Sequence, residues 1–217
     1  MRISVIETAD GSPTLHVDDI NENYHSLHGA LTESRHIYLN SGIVYRSKQL
    51  HVNPLRVFEV GFGTGLNATL AAMTNIPMEF VSVEKFPVEP EIISQLNFGT
   101  DIDKNLFRRV HEATWDESIK ISDTFILHKI KTDISDFSPS GLFDVILMDA
   151  FAPEKQPEMW TEDILRKLAS MMSHNAVLTT YCAKGRIRRF FEAIGLKSER
   201  LPGPPGGKRE ILRITKL

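Results

Sequence analysis

The stretch that most constrains the fold is Glu59-Val60-Gly61-Phe62-Gly63-Thr64-Gly65-Leu66-Asn67. It follows the apolar run Leu55–Val60 and leads into a helical pattern over 65–74. Glycines let the backbone turn sharply and approach a ligand closely. The start of the following helix offers unpaired N–H groups and the positive end of a dipole. A strand, a glycine turn and a helix in that order open a nucleotide-binding βαβ unit. The dinucleotide spacing G-x-G-x-x-G needs glycine at position 66, where Leu66 stands, and the acidic Glu59 lies two residues before Gly61. Both features disfavour a hydride-transferring dehydrogenase.

Downstream, apolar runs recur at 79–83, 125–130, 143–148 and 176–181, separated by helix-length stretches such as 88–99 and 161–172. Alternating strand and helix signals imply βαβ units and a parallel sheet. The run Glu210–Thr215 follows the turn Pro202-Gly203-Pro204-Pro205-Gly206-Gly207 and is expected to return antiparallel. Residues 2–8 and 14–18 alternate around Asp10-Gly11-Ser12-Pro13 as a β-hairpin. Residues 19–50 read as a helix with connecting segments. The expected organisation is a small extension over 1–51 before an open α/β domain over 52–217.

Acidic side chains stand where the strands end. Glu84 lies 19 residues beyond Gly65, at the place that bonds ribose hydroxyls in nucleotide-binding α/β folds. An ionised carboxylate only accepts, so it can take both O–H donors of a diol. Asp133 follows the third run and fits either an adenine contact or a helix N-cap. Asp149 closes Phe143–Met148 and opens Asp149-Ala150-Phe151-Ala152-Pro153. That loop is similar to the [Asp/Asn]-Pro-Pro-[Tyr/Phe] element of amino-group methyltransferases, with Ala150 and Ala152 breaking the match. Its carboxylate is expected to orient a nitrogen. Phe151, Trp160 and Tyr181 are candidates for stacking on a nucleobase.

The 217 residues suit one domain, and 41% hydrophobic content is enough for a sizeable core. No apolar run approaches the ~20 residues of a membrane-spanning helix. The first ten residues have no signal-peptide character. The single cysteine, Cys182, excludes an internal disulfide framework, and the eight histidines show no metal-ligand spacing. The expectation is a cytoplasmic protein with neither a metal nor a membrane as partner. Net charge is −3, unevenly spread: residues 184–217 hold 10 Lys/Arg against 3 Asp/Glu. This basic end, with Arg186 and Arg189 one helical turn apart and with Lys208 and Arg209, suits the phosphates of a polyanion.

Taken together the motifs place the chain among relatives. Glu59-x-Gly61-x-Gly63-x-Gly65 resembles motif I of the class I S-adenosylmethionine (SAM) methyltransferases. Four further segments widen the likeness: Tyr24 with Leu31-Thr32-Glu33-Ser34-Arg35, the run 83–87, the run 147–160, and Gly207-Lys208-Arg209-Glu210. Over nearly its whole length the chain resembles the methyltransferase domain of the MnmC family of tRNA wobble-uridine modification enzymes, most of all its stand-alone MnmD-like version. Ala150 departs from the glycine expected there.

The resemblance implies a Rossmann-like class I fold with a mostly parallel seven-stranded sheet. It implies methyl transfer from SAM to the amine of 5-aminomethyl-2-thiouridine in tRNA. SAM contacts are expected from Glu59, Gly61, Phe62, Gly63, Thr64, Gly65, Asn67, Glu84, Lys85, Asp133 and Asp149. Substrate contacts are expected from Tyr24, Glu33, Phe151, Trp160, Arg186, Arg189, Lys208 and Arg209, with Asp149 as the catalytic group. No FAD is expected, and a separate enzyme is expected to supply the aminomethyl group. The alternatives are methylation of a small-molecule or protein amine, and a non-catalytic SAM- or RNA-binding module.

Overall fold

The computed structural model describes residues 2–50 and 54–217. The expected domain boundary between residues 51 and 52 falls outside the described residues. Among the described residues eleven strands form two sheets. The first holds β1 (Ile3–Glu7), β2 (Pro13–Val17) and β3 (Glu22–Asn23), all antiparallel, and contains the expected hairpin. The helical region that follows begins as α1 (Ala30–Ser34), continues as a π-helical run over Arg35–Val44, and ends in α2 (Tyr45–Ser47).

Then come β4 (Leu55–Val60), α3 (Leu66–Met73), β5 (Met78–Glu84), α4 (Pro90–Ile93), α5 (Lys104–Glu112), β6 (Ser118–Lys120), β7 (Phe125–Lys131) and β8 (Phe143–Met148). A 3₁₀ turn, Pro157–Trp160, precedes α6 (Glu162–Met171), β9 (Met172–Thr180), α7 (Gly185–Ala193), β10 (Lys197–Pro202) and β11 (Glu210–Thr215). The second sheet has the order β10-β11-β9-β8-β4-β5-β7-β6. Its five central strands, β9-β8-β4-β5-β7, are parallel; β6 and β11 run against them, and β10, antiparallel to β11, runs in their direction. The short edge strand β6 takes the sheet to eight strands against the seven expected.

β4 and β8, at the centre of the sheet, are buried on both faces, which is why their sequences read as nearly unbroken apolar runs. The chain runs from β4 outward to β5 and later crosses to β8 on the other side of β4. That reversal opens a crevice beyond the carboxyl ends of β4, β5 and β8. The π-helical run is part of the main core: Ile37, Tyr38 and Ile43 join Val57, Ala68, Val145 and Val177. The helix expected over 88–99 shrinks to α4, which starts at Pro90. The longer α5 is set instead by Asp103, whose side chain accepts from the N–H groups of Asn105 and Leu106.

The hairpin turn organises α1 from a distance. Gly29, the N-cap of α1, has no side chain to offer its orphan N–H groups. The turn supplies them: Ser12 Oγ accepts from Ala30 and Leu31, and Asp10 Oδ2 accepts from Thr32 at 2.9 Å. Gly29 has φ +146, and an added Cβ would collide with the Asp10 carboxylate, so glycine is required. Leu15, Ala30 and Leu31 then pack on Leu66 and Leu70 of α3, which brings the segment 22–33 over the glycine turn. Replacing Asp10 with Ala is expected to cost about 1 kcal/mol, read as a lower urea midpoint at unchanged m-value.

Candidate active site

The crevice is a cavity of about 430 Å³, within the usual size range of small-molecule sites. Its floor is the turn after β4. Gly61 has φ +88, and a Cβ there would lie 3.1 Å from the carbonyl oxygen of Asp149. The turns after β4 and β8 are therefore in direct contact. The Asp149 N–H also donates to Val60 O at 3.3 Å. From β5, Glu84 reaches across: Oε2 accepts from the Gly63 N–H at 3.1 Å and Oε1 from Phe86 at 2.9 Å. Each oxygen keeps a second lone pair for a hydroxyl.

Asp149 is held at both oxygens. The Tyr38 hydroxyl donates to Oδ1 at 2.7 Å, and Asn67 Nδ2 donates to Oδ2 at 2.8 Å. Burial raises its pKa to about 7, and Glu33 adds to the rise; the two hydrogen bonds and Lys208 oppose it. Asp149 thus changes charge near neutrality. Turnover that depends on its carboxylate will climb through about pH 7. Tyr38→Phe removes a bond that favours the charged form, so the acid limb of a pH–rate profile is expected to move upward.

The loop after Asp149 is fixed by three neighbours. Tyr181 donates from its hydroxyl to Ala150 O at 2.9 Å, Trp160 Nε1 donates to Phe151 O at 2.7 Å, and the Phe151 N–H donates to Gln156 Oε1 at 3.3 Å. Across the cavity, Tyr24 meets the Phe151 ring edge-on at 5.2 Å. Glu33 is 7% exposed and accepts from the Ser26 N–H at 2.7 Å; burial pushes its pKa up.

Most expected site residues come together here. Tyr24, Glu33, Gly61, Phe62, Gly63, Thr64, Asn67, Glu84, Lys85, Asp133, Asp149, Phe151 and Lys208 all line the cavity. Six do not. Glu59 lies beneath it, 1% exposed, accepting from Ser82 Oγ at 2.7 Å. Burial pushes its pKa well above the usual carboxylate value, against the lowering effect of the Ser82 hydrogen bond. Gly65 caps α3 and faces Phe62 and His111. Trp160, 1% exposed, braces the Asp149 loop and offers no stacking face. Arg186, Arg189 and Arg209 are exposed outside the cavity, the first two on α7 as their spacing implied.

Asp133 closes the turn after β7: Oδ1 accepts from the N–H and hydroxyl of Ser135, both at 2.9 Å, and Oδ2 pairs with Lys85 at 2.9 Å. The Lys85 ammonium and the Ser135 bonds hold its carboxyl well below the usual range. Among the described residues no helix follows Asp133 before β8, so its bonds close a turn in place of the expected helix N-cap, and the residue faces the cavity. Sequence reasoning missed Tyr38. Nothing in the sequence of 35–44 singles it out from Ile37, Leu39 and Ile43, because a π-helical run sets which residue faces the sheet.

A turn of backbone N–H groups, a carboxylate at the next strand end and a cavity of suitable volume fit SAM. The family model described as S-adenosyl-L-methionine-dependent methyltransferase matches residues 101–216, and the chain belongs to that family. Among its relatives, the "tRNA 5-methylaminomethyl-2-thiouridine biosynthesis bifunctional protein MnmC" of Pseudomonas savastanoi pv. phaseolicola is 31% identical over 216 residues. That alignment covers 91% of this chain and 32% of the relative, so the chain spans about a third of the protein it matches.

Two solved structures share the fold. MNMC2 from Aquifex aeolicus superposes with a TM-score of 0.79 at 24% identity, over 100% of this chain and 70% of that one. Magnesium protoporphyrin IX methyltransferase from Synechocystis, solved with bound SAM, gives 0.56 at 10% identity, over 87% and 81%. The resemblance to MnmC drawn from the motifs and the expected SAM-methyltransferase fold thus hold. No helix among the described residues is long and apolar enough to cross a membrane.

Proposed function

We propose that the chain methylates the primary amine of 5-aminomethyl-(2-thio)uridine at the wobble position of tRNA, giving the methylaminomethyl product. The observation that carries this reading is Asp149, fixed at both oxygens over the glycine turn and facing a cavity that also holds Glu33. Two acidic groups around one cavity suit a substrate that arrives as a cation. The MnmC relative, by its name, acts in the biosynthesis of this nucleoside.

Bound SAM supplies a methyl group activated by its sulfonium. The Gly61–Gly63 backbone and Glu84 would hold that donor, and Lys85 and Asp133 line the same cavity. An alkylammonium has a pKa of ~10.4 in water and cannot attack while its lone pair holds a proton. Asp149 and Glu33 orient the amine, and Asp149, with its pKa near 7, is placed to receive the proton. Tyr38 and Asn67 keep the carboxylate aimed, and most of the rate gain is alignment. The wobble base lies in a loop and can be turned outward at modest cost.

Arg186 and Arg189 on α7 hold the phosphates. Replacing both with Gln is expected to weaken tRNA binding and to lessen the slope of log affinity against log salt by about two. An unchanged slope removes α7 from the interface. The function itself is tested by mass analysis of wobble nucleosides from cells lacking the protein. Accumulation of the unmethylated amine is expected. Normal methylated nucleoside in those cells, with transfer to a free amine in vitro, points to a different substrate.

A further inference from the structure

A primary ammonium already sits in the cavity, and it belongs to the protein. Lys208, on the turn joining β10 to β11, carries its Nζ 3.6 Å from the centroid of the Tyr181 ring. Lys208, Tyr181, Glu33 and Asp149 all line the same cavity. The ammonium favours the charged forms of both Glu33 and Asp149. The ring beneath it is clamped: its hydroxyl is bonded to Ala150 O, and its edge meets Trp160 at 6.2 Å. A clamped aromatic face in a cavity that also holds two acids is a seat for a cation.

We infer that the Tyr181 face is the seat of the substrate's primary amine, and that the Lys208 ammonium occupies it until substrate displaces it. This rests on the proposed function, since an aminomethyl group and a lysine side chain end in the same –CH₂–NH₃⁺. Lys208 is therefore a specificity-determining residue. It keeps the seat closed to weakly bound amines, and only a substrate with further contacts, as tRNA has, displaces it. The exchange needs no rearrangement of the backbone. The turn is closed by the Gly203 N–H donating to Arg209 O at 2.9 Å, and rotation about the four methylenes of Lys208 carries its charge outward beside Arg209. Lys208 thus serves as the phosphate contact expected from its motif only after substrate has entered.

The test uses the full chain labelled with ¹³C at the lysine ε carbons, saturated with S-adenosylhomocysteine so that no turnover occurs. In the free protein the Lys208 signal, assigned by its loss in Lys208→Met, is expected upfield from the ring current of Tyr181. It is expected at the ordinary position in Tyr181→Leu. Adding n-propylamine at high concentration, or the nucleoside 5-aminomethyl-2-thiouridine, moves it to that ordinary position. 2-Thiouridine, which lacks the amine, leaves it in place.

In turnover, Lys208→Met is expected to raise kcat/KM for the free nucleoside about threefold, by removing the competitor. Tyr181→Leu is expected to lower it about tenfold. A signal with no upfield shift, or one that neither amine moves, overturns the inference even if tRNA is methylated. Displacement by propylamine without methylation of the nucleoside or the tRNA leaves the amine seat standing and overturns the proposed substrate instead.

Discussion

Asp149→Asn is expected to lower kcat by on the order of 10²–10⁴ while SAM affinity stays within about threefold of wild type. The fold tolerates the change. Tyr38 can still donate to the remaining carbonyl oxygen. Asn67 can rotate its amide to present Oδ1, which is buried and has no hydrogen-bond partner. What is lost is the charge proposed to hold and deprotonate an amine.

The same variant should be more stable than wild type in mild alkali. The folded pKa of Asp149 is raised from 3.8 to about 7. Between those values the folded protein binds more protons than the unfolded chain, so the stability contributed by this group falls as pH rises through the interval. Above it, folding has to bury an ionised carboxylate. Asparagine has no such cost, and a melting temperature higher by a few degrees is expected at about pH 8. Isothermal titration with SAM, a turnover assay and a thermal melt on one preparation measure all three effects. Loss of SAM binding together with turnover would make Asp149 a cofactor ligand and remove its assigned role.

Glu84→Ala is the second large effect. Its carboxylate accepts from the Gly63 N–H, so it tethers the glycine turn as well as facing the cavity. A hydrogen bond to a charged group contributes about 1.5–3 kcal/mol, and two hydroxyl donors are assigned to it. The expected loss of SAM affinity is about 10²-fold, with kcat at saturating SAM reduced far less. Glu84→Gln keeps one acceptor oxygen and should fall between. A Glu84→Ala variant that binds SAM normally would put the ribose contact elsewhere.

The sequence exposed the buried centre of this molecule and hid its edges. Leu55–Val60, Phe143–Met148 and Glu210–Thr215 are strands with the bounds read from their apolar runs, and Glu210–Thr215 returns antiparallel as expected. Such runs are legible because strands covered on both faces need apolar side chains at nearly every position. β10, Lys-Ser-Glu-Arg-Leu-Pro, is an edge strand paired only to β11, so little burial constrains its sequence and no pattern appears. β6 is hidden for the same reason.

The site divides in the same way. Gly61, Glu84 and Asp149 stand at strand ends, where position along the chain nearly dictates position in space. Tyr38 reaches Asp149 from 111 residues away through a π-helical run, a geometry that no local periodicity reveals. Glu59 was legible as part of the motif, but its placement under the turn depends on Ser82 in the neighbouring strand.

The central claim is that this cavity brings a sulfonium-bound methyl group to a primary amine beside Asp149. It is tested most directly by single-turnover transfer from isotopically labelled SAM to tRNA whose wobble base carries 5-aminomethyl-2-thiouridine, with nucleosides resolved by mass. Label appearing in 5-methylaminomethyl-2-thiouridine, and absent with Asp149→Asn, is the expected result. No label in that nucleoside, from protein that demonstrably binds SAM, would contradict it.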